Sequence, residues 1–185
     1  MLNMNKRELI SYLERLDESL TERATLHIYG SAVVILLDAP GRTSLDIDVA
    51  GPYSSVSHAE LAHAAERAGL PVNPEDPLFE GNHLEWVGAL RLCLPPPGKD
   101  SMTLWQGKRL TIQTGSVPDI VASKLIRYDE TDKADIQFLV SQSAFSWEAV
   151  RVAAANLPLA FREDALVIEN LNNLATDLLL WKGGA

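Results

Sequence analysis

The stretch His27–Ala50, HIYGSAVVILLDAPGRTSLDIDVA, reads as a short apolar strand, a Gly-Ser turn opening a helix, a polar loop and a second strand with two aspartates. In that second strand Leu45, Ile47 and Val49 alternate with Asp46 and Asp48. A strand has a side-chain period of two, so both carboxylates leave one face, roughly 7 Å apart along the chain. Two like charges at that distance repel by ~2–3 kcal/mol at an effective dielectric near 20. A recessed pair therefore calls for a cation between them, and carboxylate oxygens are the ligands that a hard divalent ion such as Mg²⁺ prefers. The same pair would also serve as charge on an exposed sheet edge, where it blocks unwanted strand pairing. Upstream, Gly30 lets the backbone approach a ligand closely, and a helix starting at Ser31 offers free N–H groups. That makes a phosphate seat, although a Gly-Ser turn that simply caps a helix has the same sequence.

Outward from this stretch, residues 5–20 predict a helix with Leu9, Ile10, Leu13, Leu16 and Leu20 on one face. Strands are expected over 26–29 and 45–50, with a buried helix between them, capped by Ser31 and ended by Pro40-Gly41. Ser57, Glu60 and Gly69 frame an Ala-rich helix with a capping box. Residues 71–83 hold three prolines and predict an irregular loop, followed by a strand over 84–94 that the triple proline 95–97 stops. Residues 102–105 and 109–114 flank Gln106-Gly107-Lys108, a hairpin pattern. Four helices are expected after it, over 116–127, 131–143, 146–156 and 162–181. Strands mixed with helices, then a helical tail, predict an α+β fold. The expected division is 1–115 as the α+β core and 116–185 as a helical region packed on it in one compact unit.

The 185 residues are 46% hydrophobic and 22% charged, enough for a sizeable core and a well-solvated surface. A net charge of −9 argues against sequence-independent coating of nucleic acid or membrane, while leaving room for a local basic patch. The single Cys93 excludes an internal disulfide and a multi-cysteine zinc site, and its apolar surroundings predict a buried, inert thiol. The four histidines have no metal-binding spacing. The charged opening MLNMNKRELISYLERL lacks a leader's apolar core, and no run approaches a membrane span. The expectation is a cytoplasmic protein with no membrane partner.

The order strand, Gly-Ser, helix and Asp-x-Asp strand resembles the signature of the nucleotidyltransferase superfamily, the fold shared with polymerase beta. Residues 32–45 put 14 positions between Ser31 and Asp46, towards the long end of that pattern. Within the superfamily the stretch looks like the AbiEii-type group of toxin-related enzymes, which carries an arginine and small hydroxyl residues before the aspartates, as Arg42, Thr43 and Ser44 do. SVPDIVASKLIRYDETDKADIQFL (116–139) resembles the group's downstream motif, a helix with one lysine and then Asp-x-x-Asp-Ile. Lys124 would be that lysine, in mid-helix, with Asp132 and Asp135 as the acidic pair.

The resemblance implies a core of 1–115 with the superfamily's fold and transfer of a nucleotide from a nucleoside triphosphate to an acceptor hydroxyl. Asp46 and Asp48 would hold Mg²⁺, Gly30 and Ser31 the phosphates with Arg42 and Ser44 beside them, and Lys124 would neutralise phosphate charge with Asp135 orienting it. The implied acceptor is a tRNA end or a protein side chain, and the implied setting is a toxin with an antitoxin partner. Many members place a third carboxylate on a later strand as base. Here either Glu85 or Asp135 serves, or the base is missing. The alternative is a non-catalytic member of the fold acting as a nucleotide-binding or protein-interaction module.

Overall fold

The computed structural model of the chain describes residues 3–76, 79–142 and 146–183. The architecture is α+β, with one five-stranded mixed sheet and a C-terminal run of helices. It divides into two compact units, one made of residues up to Leu92 with Ser101–Thr114, the other of Cys93–Asp100 with the residues from Gly115 on.

The first unit contains α1 (Lys6–Ser19), β1 (Ala24–Tyr29), α2 (Ser31–Leu36), β2 (Asp46–Ala50), α3 (His58–Ala68), β3 (His83–Val87), β4 (Met102–Gln106) and β5 (Leu110–Thr114). The strand order is β3-β2-β1-β5-β4. β1 runs antiparallel to β2 and parallel to β5, β2 is parallel to β3, and β4–β5 is the expected antiparallel hairpin. Leu26 and Ile28, Ile47 and Val49, and Leu110 and Ile112 are all fully buried at alternate positions, which fixes the register. α2 packs on β1, β2 and β4, and α1 packs on α3.

Several local expectations shift. The helix after Gly30 stops at Leu36, before Pro40, because Asp38 takes a left-handed conformation and the Ala39 N–H closes onto Val34 O. Gly30 is its N-cap residue, and Ser31 makes no side-chain cap. β2 begins at Asp46, leaving Leu45 40% exposed outside the core face. The strand expected over 84–94 ends at Val87, where Gly88–Arg91 turns, with the Arg91 N–H on Gly88 O at 3.0 Å. Ser57 does cap α3, but the Glu60 carboxylate accepts from Thr21 N–H and O–H at 2.8 and 2.7 Å instead of closing a capping box.

One device has no sequence signature. Asp17, 6% exposed on the inner side of α1, accepts the backbone N–H groups of Lys108, Arg109 and Leu110 at 3.0, 2.7 and 2.7 Å. It thereby ties the helix to the β4–β5 turn. Asp17→Ala leaves three inward donors without an acceptor, so the expected loss is about 3 kcal/mol, read as a lowered urea midpoint. Burial alone would raise the Asp17 pKa, but these three N–H groups and the Arg109 charge hold it below the usual value. The linked stability is complete above the unfolded carboxylate value near 3.8 and disappears as pH falls through the lower folded value. The urea midpoint should therefore fall between pH 5 and pH 2, and less steeply in Asp17→Asn, which cannot titrate.

The second unit contains α4 (Val117–Ser123), α5 (Glu130–Gln142), α6 (Trp147–Ala155), α7 (Leu159–Arg162) and α8 (Ala165–Gly183). Ser116 and Asp119 form a capping box at the start of α4. That helix is shorter than expected, because the chain leaves it at Ser123 in a series of turns and Tyr128 adopts φ 52°. The helix expected over 162–181 starts three residues later, as α8 from Ala165, and Arg162 instead ends the separate short helix α7. The end expected for α5, residue 143, lies outside the described residues. Cys93 is a free, buried thiol, and burial, with the Asp164 charge adding, pushes its pKa up to about 12. Such a thiol is inert at neutral pH. Among the described residues no helix is long and apolar enough to cross a membrane.

Candidate metal and phosphate site

Asp46 and Asp48 lie half-exposed on one face of β2, with Ile47 and Val49 buried on the other. The parallel pairing of β2 with β3 sets His83 opposite Asp46 and Glu85 opposite Asp48. Paired residues of adjacent strands share a face, so Glu85 joins the two aspartates. One carboxylate oxygen from each of Asp46, Asp48 and Glu85 lies within 4.8 Å of the others, well inside the 7 Å along-chain spacing of the aspartates. At that separation each pair repels by about 3–4 kcal/mol at an effective dielectric near 20. Glu85 is thus a third carboxylate beside the two aspartates. Nothing in LEWVGALRLCL could place it there, because its partner strand is 37 residues upstream in register.

The groups around the triad hold it in shape. The Ser44 hydroxyl donates to Asp46 Oδ1 at 2.9 Å. Ser44 is itself fixed by a two-way backbone bridge with Met4 at 2.7 and 3.1 Å. Tyr29 pairs with Asp48 across β1–β2, which brings the next residue, Gly30, against the Asp48 carboxylate. Gly30 has φ 71° and ψ −149°, a conformation essentially confined to glycine, and a Cβ there would overlap Asp48 Oδ2. Glycine is therefore required twice over at this turn. The Arg42 guanidinium donates to Ser31 Oγ and to Thr43 O, so it spans from the loop before β2 to the first residue of α2. On the turn after β3, Arg91 Nη2 donates to Glu85 Oε1 at 2.8 Å. The structure thus assembles Gly30, Ser31, Arg42, Ser44, Asp46, Asp48 and Glu85 in one unit.

No family model, curated protein or solved structure matches the chain. A functional reading therefore rests on these residues and their chemistry.

Lys124, Asp132 and Asp135 belong to the second unit and form a cluster of their own. Lys124 is the C-cap residue of α4, not a mid-helix residue, and is 5% exposed, so it does not snorkel along the surface. Its ammonium donates to Asp132 Oδ1 at 3.1 Å and to Asp135 Oδ2 at 2.7 Å. Asp132 also accepts from Arg127 Nε and Nη2 at 2.8 and 2.9 Å. Burial would raise the Asp132 pKa, but Arg127 and Lys124 together hold it below the ordinary carboxylate value. Asp132 and Asp135 thus share the Lys124 ammonium.

Proposed function

We propose that the chain is a divalent-metal-dependent nucleotidyltransferase that moves a nucleotide from a nucleoside triphosphate to an acceptor hydroxyl. The observation that carries this reading is the third carboxylate, Glu85, within 4.8 Å of Asp46 and Asp48 beside the Gly30 turn. Three half-exposed oxygen donors, with no nitrogen or sulfur among them, fit Mg²⁺, which keeps several waters and binds substrate phosphates in addition to protein carboxylates. Asp46 and Asp48 would hold it, and when bound it would stabilise charge developing on the phosphoryl group. Gly30 keeps the space above Asp48 clear of a side chain, and Ser31, oriented by Arg42, would hydrogen-bond the phosphates. Ser44 fixes the Asp46 carboxylate in one orientation. Glu85 would take the proton of the attacking hydroxyl. Every residue in this scheme lies in the first unit.

The acceptor suggested by the AbiEii-type resemblance is a tRNA end or a protein side chain, and the biological setting a toxin with an antitoxin partner. A second reading, a nucleotide-binding or interaction module without turnover, draws support from Arg91. It sits on Glu85, the carboxylate that a base would need free.

Thermal unfolding of the protein with Mg²⁺ and each nucleoside triphosphate separates the enzyme and a nucleotide-binding module from a chain that binds no nucleotide. A ligand at 100 times its Kd should add about 2.7 kcal/mol of stability. Incubation with α-labelled triphosphates and total RNA or lysate then separates the two from each other. Label transferred to an acceptor supports the enzyme, and stabilisation without transfer supports the module. No stabilisation by any triphosphate with metal refutes the enzyme and a nucleotide-binding module alike, and leaves a protein-interaction module.

A further inference from the structure

Glu85 belongs to the triad and also accepts, at Oε1, from Arg91 Nη2 at 2.8 Å. The Arg91 side chain is 75% exposed and that of Glu85 only 28%, so the ion pair, not packing, orients the guanidinium. Arg91 closes the Gly88–Arg91 turn, and the buried Val87 and Leu92 pin that turn at both ends. A guanidinium offers five N–H donors in a planar fork. The bond to Glu85 uses one of them.

We propose that Arg91 is a phosphate-binding residue held on Glu85: it pairs with this carboxylate until Asp46 and Asp48 hold a divalent cation beside it, and then turns to a phosphate oxygen of the nucleoside triphosphate. This rests on the nucleotidyltransferase reading above. Three carboxylates with one guanidinium present a net charge of −2, against −3 for the triad alone, so Arg91 and a divalent cation compete for the same field. A cation held by Asp46 and Asp48 lies close enough to Glu85 to offset the charge that holds Arg91 in place. A triphosphate brings several negative charges to the same region, and guanidinium recognises phosphate oxygens through two parallel N–H bonds, stronger than one bond to a solvated carboxylate.

The two halves of this exchange move in opposite directions on mutation, which sets the test. Calorimetric titration of the full chain is made with Mg²⁺ alone, then with ATP, CTP, GTP and UTP at saturating Mg²⁺. Arg91→Gln should bind Mg²⁺ about threefold more tightly, the range of one exposed ion pair, and the triphosphate about tenfold more weakly, the range of a lost charge-assisted bond. Arg91→Lys, which keeps the charge but not the fork, should restore the Mg²⁺ affinity of the wild type and only part of the triphosphate affinity. In a Glu85→Gln background, Arg91→Gln should no longer affect Mg²⁺ and should still weaken the triphosphate. If Arg91→Gln leaves both affinities unchanged, or moves them in the same direction, the proposal is overturned and the nucleotidyltransferase reading stands. If the wild type takes up neither Mg²⁺ nor any triphosphate, both fall.

Discussion

Asp48→Asn is expected to abolish transfer from an α-labelled triphosphate while raising, not lowering, the stability of the metal-free protein. The two effects share one cause. In the wild type, Asp48 contributes one of three carboxylates whose oxygens lie within 4.8 Å of one another. The amide keeps the shape of the side chain and so preserves its fit against Gly30. It removes one charge and with it two of the three pairwise repulsions. Even in water two such repulsions sum to roughly 2 kcal/mol, so at this half-exposed site their relief should be worth about 2 kcal/mol. The same change removes an anionic oxygen ligand, so Mg²⁺ should no longer stabilise the variant, and transfer should fall by at least ~10³, the scale of losing electrostatic stabilisation at a reacting phosphoryl group. Thermal unfolding with and without Mg²⁺, alongside label transfer, checks both halves. A variant that loses stability in metal-free buffer, or keeps transfer, contradicts the assignment of Asp48.

Lys124→Met should destabilise the second unit by about 3–5 kcal/mol, the usual result of removing one partner from a buried ion pair. The methionine fills the space left by the lysine stem, so the loss comes from charge and not from a cavity. Asp132 and Asp135 are each buried to within 3% of full exclusion and would face each other without the ammonium between them. Arg127 still reaches Asp132, whereas Asp135 loses the shorter of the two ammonium contacts, 2.7 Å against 3.1 Å. Asp135→Asn added to Lys124→Met should therefore recover a large part of the lost stability, measured as the urea midpoint. A Lys124→Met protein as stable as the wild type would show that the cluster contributes little to the fold.

About half of the site is legible in the amino-acid sequence. Alternation along SLDIDVA places Asp46 and Asp48 on one face, whereas Gly30-Ser31 reads equally as a plain helix cap until the Asp48 carboxylate is seen to close against it. Glu85 is visible only as the one acid in a strand-like run, because nothing local says which strand lies beside β2. Arg91 is hidden by the expectation that the strand runs to Leu94, when the chain turns at Gly88. Asp132 and Asp135 are legible as the acidic pair that accompanies Lys124, but the burial of all three is not, because it depends on the chain leaving α4 at Ser123. Asp17 gives no signal at all, since its three donors sit more than ninety residues away in the β4–β5 turn.

The α+β class, most helices and strands, the β4–β5 hairpin, the cap at Ser57 and the shared face of Asp46 and Asp48 are legible in the amino-acid sequence. These follow from backbone preferences and side-chain periods that act within a few residues. Long-range packing sets β3 parallel to β2 in the register that puts Glu85 opposite Asp48, and closes Gly30 against the same carboxylate. Strand pairing joins segments far apart in the chain, and its register is chosen by burying whole apolar faces such as Ile47 and Leu84 together. The pair of aspartates is thus a property of one strand, whereas the triad is a property of the sheet.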